Sequence, residues 1–350
     1  MDSRAKQVEG GGGAEPQPSA FPLRMIAWEL TRNCNLNCVH CRARASAGPH
    51  DDELSSGECR RIIDDIAAFS TPTIILTGGE PLLRQDIYEL IDYGSSKGLR
   101  QVIAVNGTLV DREKAQKLKK GGIMRVSMSL DGKDRSVHDA FRGVSGSFDA
   151  VMGAAQMFFD AGLPFQINTT VTRLNVHALG AIYDLVREIK AVAWHIFLLV
   201  PVGRGIGLKG EELNAAMYED VLNWLYDREE EKRIEMKVTC APHYYRVVKE
   251  KGGEPKSAGC LAGKSFLFIS HTGIAQPCGY LELPCGDVRK DGVRKVWEAS
   301  HQLALLRDFR NYRGKCGECR YLRICGGCRA RANELKGDLF EAEPYCSYGT

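Results

Sequence analysis

The stretch Trp28-Glu-Leu-Thr-Arg-Asn-Cys-Asn-Leu-Asn-Cys-Val-His-Cys41 places three cysteines, Cys34, Cys38 and Cys41, within eight residues. A cubane [4Fe–4S] cluster normally takes four thiolates, so three thiolates leave one iron open to an outside ligand. A structural zinc site needs a closed set of four ligands, and His40, directly beside Cys41, is badly placed to be the fourth. The spacing therefore favours an iron–sulfur cluster with one reactive iron.

This cysteine spacing resembles the signature of the radical S-adenosylmethionine (SAM) superfamily. The resemblance implies that the open iron on Cys34, Cys38 and Cys41 binds the amino and carboxylate groups of SAM. An external low-potential electron donor would reduce the cluster, and cleavage of SAM would yield a 5′-deoxyadenosyl radical that takes a hydrogen atom from the substrate. Radical generation then needs no protein acid or base, and His40 lies where relatives place an aromatic ring against adenine.

Short β-branched runs alternate with longer amphipathic runs from Met25 to about Glu230. This alternation predicts a parallel sheet with helices outside it, and Ser55 with Glu58 predicts a capping box at the start of the first helix. It agrees with the partial (β/α)6 TIM-type barrel that the resemblance implies. The strand candidates are Met25–Leu30, Thr73–Thr77, Gln101–Asn106, Arg125–Leu130, Phe165–Val171 and Ala193–Val200.

Polar motifs follow the predicted strands, at the end of a barrel where active sites form. Gly78-Gly79-Glu80-Pro81 resembles the superfamily's methionine-binding segment, in which two glycines let the main chain approach closely. By the same resemblance, Asn106, Ser129 and Asp131 lie where relatives hold the ribose hydroxyls and the SAM carboxylate. The alternative for these three residues is turn and N-cap chemistry, which their residue types also favour.

A second set of cysteines begins past Glu230 and resembles the SPASM extension of radical SAM enzymes, which carries auxiliary [4Fe–4S] clusters. The resemblance implies one cluster on Cys316, Cys319, Cys325 and Cys346, and another on Cys260, Cys278 and Cys328. The latter set is one thiolate short, and Cys240 or Cys285 could complete it, or the site could stay open. The chain departs from the usual pattern in having two residues, not three, between Cys325 and Cys328.

The two Cys-x-x-Cys pairs are also typical of zinc ribbons, so a zinc-stabilised binding module is an alternative of another class.

We expect a disordered tail over residues 1–23, a radical SAM core over 24–235 and a SPASM-type domain over 236–350. The formal net charge of +3 on 350 residues favours no nucleic acid partner. No stretch approaches the ~20 apolar residues of a membrane span, and the absence of an export signal predicts a cytoplasmic protein with reduced thiols.

Three stretches, His138-Asp-Ala-Phe-Arg-Gly143, His195-Ile-Phe-Leu-Leu-Val-Pro-Val-Gly-Arg204 and Thr239-Cys-Ala-Pro-His-Tyr-Tyr-Arg246, resemble the haem b synthases of the siroheme-dependent haem pathway. That family oxidatively decarboxylates two propionates of iron-coproporphyrin III to vinyl groups, giving protohaem (haem b). The resemblance thus implies a tetrapyrrole substrate, and an auxiliary cluster is a reasonable acceptor for the remaining electron.

Substrate carboxylates call for arginine, whose planar fork binds them at two points, so Arg142, Arg204 and Arg246 are candidates. His243 could bind the porphyrin iron, since histidine is a common axial ligand, or could pack between the two domains. His195 on an apolar strand is interpreted as a hydrogen-bonded core residue. The competing function is a peptide- or protein-modifying SPASM maturase, which shares every cysteine motif.

Overall fold

The computed structural model describes residues 21–257 and 259–349. Its strands and helices follow the βα order that the sequence predicts. In chain order they are β1 Met25–Glu29, α1 Ser56–Phe69, β2 Thr73–Thr77, α2 Ile87–Ser96, β3 Arg100–Ala104, α3 Arg112–Lys120, β4 Ile123–Ser129, α4 Arg135–Arg142, α5 Ser147–Ala161, β5 Phe165–Val171, α6 Leu179–Glu188, β6 Ala193–Leu198, α7 Ala215–Glu230, β7 Glu235–Thr239, α8 Tyr244–Glu250, β8 Phe266–Ile269, β9 Ile274–Gln276, β10 Gly286–Asp287, α9 Val288–Ala299, α10 His301–Arg307, α11 Gly314–Gly317 and α12 Arg329–Lys336.

Among the described residues the strands form one ten-stranded sheet in the order β10-β9-β8-β1-β2-β3-β4-β5-β6-β7. All pairs from β8 through β1 to β7 are parallel, and β9 and β10 continue the sheet antiparallel. The α/β class with a partial parallel barrel is therefore confirmed. All six predicted strands are present, and β2 and β5 have the predicted bounds.

Two parallel strands lie beyond the six that the sequence predicts. β7 adds to β6, and β8 adds to the opposite side of the predicted sheet, beside β1. Their five and four residues are too short for an alternating pattern to stand out from the polar sequence around them. The predicted regions 24–235 and 236–350 consequently share one sheet, and their division into two domains stays a prediction.

The two faces of the sheet differ in polarity. On β6, Trp194 and Ile196 belong to the main apolar core against the helices, whereas His195 between them faces the inside of the barrel. Helix α6 contributes Leu179 and Ile182 to the same core, as its predicted apolar face requires. The Ser55–Glu58 capping box is confirmed at the start of α1. The core thus lies between the sheet and the helices, and the inner face of the sheet carries polar residues such as His195 as well as apolar ones such as Ile75 and Phe197.

Residues 1–20 of the predicted tail lie outside the described residues. Two of the last three residues assigned to the tail are packed: Leu23 is buried in the core, and the Phe21 carbonyl accepts a hydrogen bond of 3.0 Å from Trp297 Nε1. Within the described part of the chain, no helix is long and apolar enough to cross a membrane.

Candidate active site

The first three cysteines lie in the loop that follows β1. Cys34 and Cys38 are buried and Cys41 is half-buried, in a small apolar cluster separate from the main core. The Cys34 amide donates to the Ser46 carbonyl at 3.0 Å, and the Leu36 amide donates to Cys34 Sγ at 3.4 Å. Burial, together with the nearby Cys38, Glu80 and Cys41, raises the pKa of the Cys34 thiol to about 11. The three sulfurs thus share one pocket, and metal binding there must displace thiol protons.

The Gly78-Gly79-Glu80-Pro81 segment packs directly on the cysteine loop. The Gly79 amide donates to the Thr31 carbonyl at 2.7 Å, and the Glu80 amide donates to the Asn33 carbonyl at 2.8 Å. A Cβ added at Gly79 would lie 2.3 Å from the Asn33 carbonyl oxygen, and one at Gly78 would lie 2.5 Å from that of Thr31. The two glycines are thus required by backbone contact with the cysteine loop, a reason that the sequence alone did not supply.

We expect Gly79→Ala to lose most of the iron bound by Cys34, Cys38 and Cys41, because the new methyl group must push the cysteine loop away. Iron counted after anaerobic reconstitution measures this loss. Gly153→Ala is the matched control, since Gly153 lies in α5 with no atom near the added Cβ. That variant should keep its iron and gain about 0.5–1 kcal/mol of stability. Equal iron in both variants would contradict the packing argument.

Glu80 links the second and third βα loops. Its side chain is fully buried and accepts hydrogen bonds from the amides of Leu82 at 3.0 Å and Asn106 at 2.6 Å. Burial raises its pKa to about 7, although both N–H bonds act in the opposite direction. Pro81, also buried, begins the following short 3₁₀ turn. The predicted contact between this segment and the SAM ammonium stays a prediction.

Asn106 shows both the bonding of a turn and a link to the cysteine loop. Its Oδ1 accepts from the Thr108 amide at 2.9 Å, while its Nδ2 donates to Asn35 Oδ1 at 2.8 Å. Ser129 lies at the end of β4, half-buried, and its side chain makes no hydrogen bond to any described residue. Of these two, Ser129 is the freer to meet a ribose or carboxylate group.

Asp131 is fully buried and lies two residues beyond the end of β4 at Ser129. Its carboxylate accepts from the Thr170 amide at 2.8 Å and pairs with the Arg142 guanidinium. Burial opposes the charge on Asp131, but Arg142, His40, His138 and the Thr170 amide together outweigh it and lower the pKa of the carboxyl. Arg142 in turn donates to Cys38 Sγ at 3.7 Å. Asp131 thus holds an arginine against a cysteine, and its predicted contact with the nucleotide stays a prediction.

His40 lies beside this pair, with its ring centroid 5.4 Å from that of Phe141. Burial lowers the pKa of His40 to about 4, so its ring is neutral at pH 7. Its Nδ1 is buried without a hydrogen-bond partner among the described residues. A neutral, flat, unsatisfied ring next to the three thiols suits the predicted contact with a nucleobase.

The three predicted substrate arginines already have protein partners. Arg142 pairs with Asp131, and Arg204 donates to the carbonyls of Cys38 at 2.8 Å and Ala45 at 2.7 Å. The buried Arg246 is bound by two carboxylates, those of Glu219 and Glu250. Arg142 and Arg246 are thus paired with carboxylates, whereas Arg204 forms no ion pair within residues 21–257 and 259–349. Arg142 and Arg204 instead brace the cysteine loop, because their partners lie on or beside it.

The last cysteines form a pocket of their own. Backbone amides donate to three of the sulfurs: Glu343 to Cys316 at 3.3 Å, Tyr321 to Cys319 at 3.4 Å, and Gly327 to Cys325 at 3.4 Å. Such N–H···S bonds are one means by which proteins tune iron–sulfur clusters. The pocket's sulfur-bearing residues are those that the sequence predicts for one auxiliary cluster, Cys316, Cys319, Cys325 and Cys346.

His243 lies in this same pocket, with Arg246 and Glu343. Its ring is buried, and neither ring nitrogen has a hydrogen-bond partner among the described residues. Burial lowers the pKa of His243 to about 4. The position suits contact with an auxiliary cluster, and the predicted ligation of a porphyrin iron stays a prediction.

The structure also distinguishes between the two cysteines that could complete the other auxiliary set. Burial raises the pKa of the Cys240 thiol, and the neighbouring thiols of Cys328, Cys278 and Cys260 raise it further. Cys240 follows β7 with φ +60°, a strained conformation for a residue other than glycine and one that clusters at functional sites. Cys285 is instead buried in the main core. Four thiols are therefore gathered at Cys240, Cys260, Cys278 and Cys328.

We expect Cys240→Ala to lower the iron content of the reconstituted protein, because one auxiliary site loses a ligand. Cys285→Ala is the matched control and should retain full iron, since Cys285 is a core residue. Iron and sulfide analysis with absorption spectroscopy measures both. Loss of iron from Cys285→Ala alone would reverse the assignment.

Comparison with known proteins agrees with this geometry. The Radical SAM superfamily matches residues 28–186, and the SPASM iron–sulfur cluster-binding domain matches residues 260–329. The AdoMet-dependent heme synthase of Nitratidesulfovibrio vulgaris is 49% identical, covering 93% of this chain and 92% of that protein. The AdoMet-dependent heme synthase of Methanosarcina barkeri is 43% identical, covering 93% of this chain and 96% of that protein.

A solved structure shares the fold at low sequence identity. anSMEcpe with bound AdoMet and the Cp18Cys peptide matches with a TM-score of 0.71 and 20% identity, covering 93% of this chain and 94% of that one. The cofactors of this protein are SAM and [4Fe–4S] clusters. The chain belongs to the radical SAM superfamily, in the SPASM-containing family that includes the AdoMet-dependent heme synthases.

Proposed function

We propose that this protein converts iron-coproporphyrin III to protohaem by oxidative decarboxylation of two propionates to vinyl groups. The observation that carries the proposal is the 49% identity to an AdoMet-dependent heme synthase over 93% of this chain. The thiol groups described above support it, because all their members except Cys240 and Cys346 lie in the regions that match the two family models.

The chemistry sets requirements that the chain's residues meet. Bound to Cys34, Cys38 and Cys41, the first cluster with SAM supplies a radical able to remove a hydrogen atom. Each propionate loses one hydrogen atom from its β carbon, then carbon dioxide and one electron, and becomes a vinyl group. That electron needs an acceptor near the barrel, and the thiol group that includes Cys240 follows β7 directly. We propose an external low-potential donor for the first cluster.

The loop carrying the three cysteines is held on several sides. The amides of Asn37 and Val39 donate to the carbonyls of Arg142 and Phe141 at 3.1 and 2.9 Å, so α4 fixes one side of the loop. On another side, Arg42 pairs with the buried Glu29 at 2.9 Å. This rigidity supports the proposal, because a radical must form at a fixed distance from the carbon it attacks.

Anaerobic incubation of the reconstituted protein with SAM, dithionite and iron-coproporphyrin III tests the proposal. Mass analysis should show a product that has lost two carboxyl groups, together with 5′-deoxyadenosine and methionine. A protein that cleaves SAM but leaves the tetrapyrrole unchanged would overturn the haem assignment and favour the peptide-modifying alternative.

A further inference from the structure

A row of polar side chains crosses four neighbouring strands of the barrel. The sheet register aligns Ser129 of β4 with Asn168 of β5, Asn168 with His195 of β6, and His195 with Lys237 of β7. Parallel strands in register bring such residues side by side, about 4.8 Å apart from strand to strand. The last three, Asn168, His195 and Lys237, form what we call the polar row.

The polar row faces the inside of the barrel. Successive residues of a strand point to opposite faces of the sheet, and the neighbours of His195 on β6 belong to the core against the helices. The same holds for Met236 and Val238, which flank Lys237 on β7. His195 and Lys237 are only partly buried, although each lies within its strand between two core residues. They therefore border the space that the open barrel encloses.

His195 directs an unsatisfied donor into that space. Gln166 Nε2 contacts Asn168 Oδ1 at 3.0 Å and His195 Nδ1 at 2.9 Å, while Gln166 Oε1 accepts from Arg125 at 3.4 Å. Because the amide nitrogen can only donate, His195 Nδ1 is the acceptor and its proton lies on Nε2. That Nε2 is buried with no hydrogen-bond partner among the described residues. An unsatisfied buried donor is costly unless a ligand accepts from it.

Lys237 adds a positive charge that forms no ion pair with any residue in 21–257 or 259–349. The carboxylate of Glu235, two positions earlier, acts on Lys237 through its charge but pairs with Arg125 at 3.1 Å. Burial lowers the pKa of Lys237. A partly buried cation without a direct ion pair is stabilised by an anionic partner.

We propose that His195 and Lys237, with the amide of Asn168, bind a carboxylate of the substrate. This inference rests on the proposed function, in which that carboxylate is a propionate of the tetrapyrrole. It also supplies a cation in addition to Arg204, since Arg142 and Arg246 are already paired with protein carboxylates. Lys237 lies three residues before Cys240, or about 10 Å along the strand, so a porphyrin held here would reach toward the auxiliary thiols.

Absorption titration of the reconstituted protein with iron-coproporphyrin III and with its tetramethyl ester tests the carboxylate site. The wild type should bind the acid more tightly than the ester, which carries no negative propionates. Lys237→Met and His195→Phe should each bind the acid about tenfold more weakly, the size expected when a hydrogen bond to a charged group is lost. Binding of the ester should change little, and Lys237→Arg should restore much of the affinity for the acid.

Controls separate this proposal from folding and from the proposed function. Lys290→Met removes an exposed lysine from α9 and should leave binding unchanged. Iron content and substrate-free SAM cleavage should be equal in all variants, which shows that the clusters are intact. Wild-type affinity for the acid in both Lys237→Met and His195→Phe would overturn the carboxylate site. A wild type that binds the acid but never decarboxylates it would overturn only the proposed reaction.

Discussion

Cys38→Ala is expected to abolish SAM cleavage while leaving the auxiliary iron bound. Cys38 is one of only three thiols in the loop after β1, so its loss leaves two protein ligands for a cubane that already has one open iron. Arg142 would keep its partner Asp131, so we expect the surrounding fold to survive. The measurement is 5′-deoxyadenosine formed with dithionite, alongside iron per chain. Product should fall to the background of protein-free samples, and iron should fall by one cluster.

Cys59→Ala provides the matched control for this variant. Cys59 is buried in α1, and its thiol weakly contacts the Leu54 carbonyl at 3.9 Å. The substitution therefore removes a sulfur atom that is not part of the cysteine loop. It should cleave SAM normally. If Cys38→Ala made 5′-deoxyadenosine at the wild-type rate, the first cluster would have to be bound elsewhere, and the proposed chemistry would fail.

Arg331→Met is expected to destabilise the junction between the barrel and the auxiliary thiols by about 3–5 kcal/mol, the cost of leaving a buried charge unpaired. Arg331 is fully buried and pairs with Glu343 at 3.2 Å, and it donates to the carbonyls of Leu198 and Leu199 at the end of β6. Burial opposes the charge on Glu343, but Arg331 together with His243, the Cys328 amide and Arg329 outweighs it and lowers the pKa of that carboxyl. Removal of the guanidinium leaves that carboxylate without its cation.

The effect of Arg331→Met should reach both auxiliary thiol groups. The Glu343 carboxylate accepts from the Cys328 amide at 2.7 Å, while the Glu343 amide donates to Cys316 Sγ. We therefore expect loss of auxiliary iron together with a lower urea midpoint, both measured anaerobically. Arg313→Ala breaks an exposed pair with Asp338 and should cost at most about 1 kcal/mol.

A double variant, Arg331→Met with Glu343→Leu, separates the unpaired charge from lost packing. It should recover part of the stability, because it leaves no buried ion unpaired. If Arg331→Met were as stable as Arg313→Ala, the Arg331–Glu343 pair would not hold the junction.

Local patterns predicted the elements whose signal is contained within a few residues. The βα alternation placed β1 to β6, and Ser55 with Glu58 placed the start of α1, because periodicity and capping depend on near neighbours in the chain. The short β7 and β8 were missed for the converse reason. β8 is a strand because it pairs with β1, more than 230 residues earlier in the chain, and nothing in its own four residues records that pairing.

In the candidate site, too, the sequence predicted residue types, whereas contacts between distant residues decided their partners. Residue type suggested arginine for substrate carboxylates, but Arg246 is bound by Glu219, which is 27 residues away on α7. His195 was interpreted as a core residue, and one ring nitrogen does bond to Gln166 as that requires, yet the other has no partner in the part of the chain that the structure describes. Residue type states what a side chain can bind, whereas the fold decides which partner is already beside it.

The sequence by itself determined the chemistry of the first site, because Cys34, Cys38 and Cys41 lie within one loop and their spacing alone limits what they can bind. Only the tertiary structure decided that Cys240 and not Cys285 joins the other auxiliary thiols, and that His195 and Lys237 stand side by side. Those groupings arise from strand register and from contacts between distant segments, which depend on how the whole chain packs and not on the order of neighbouring residues.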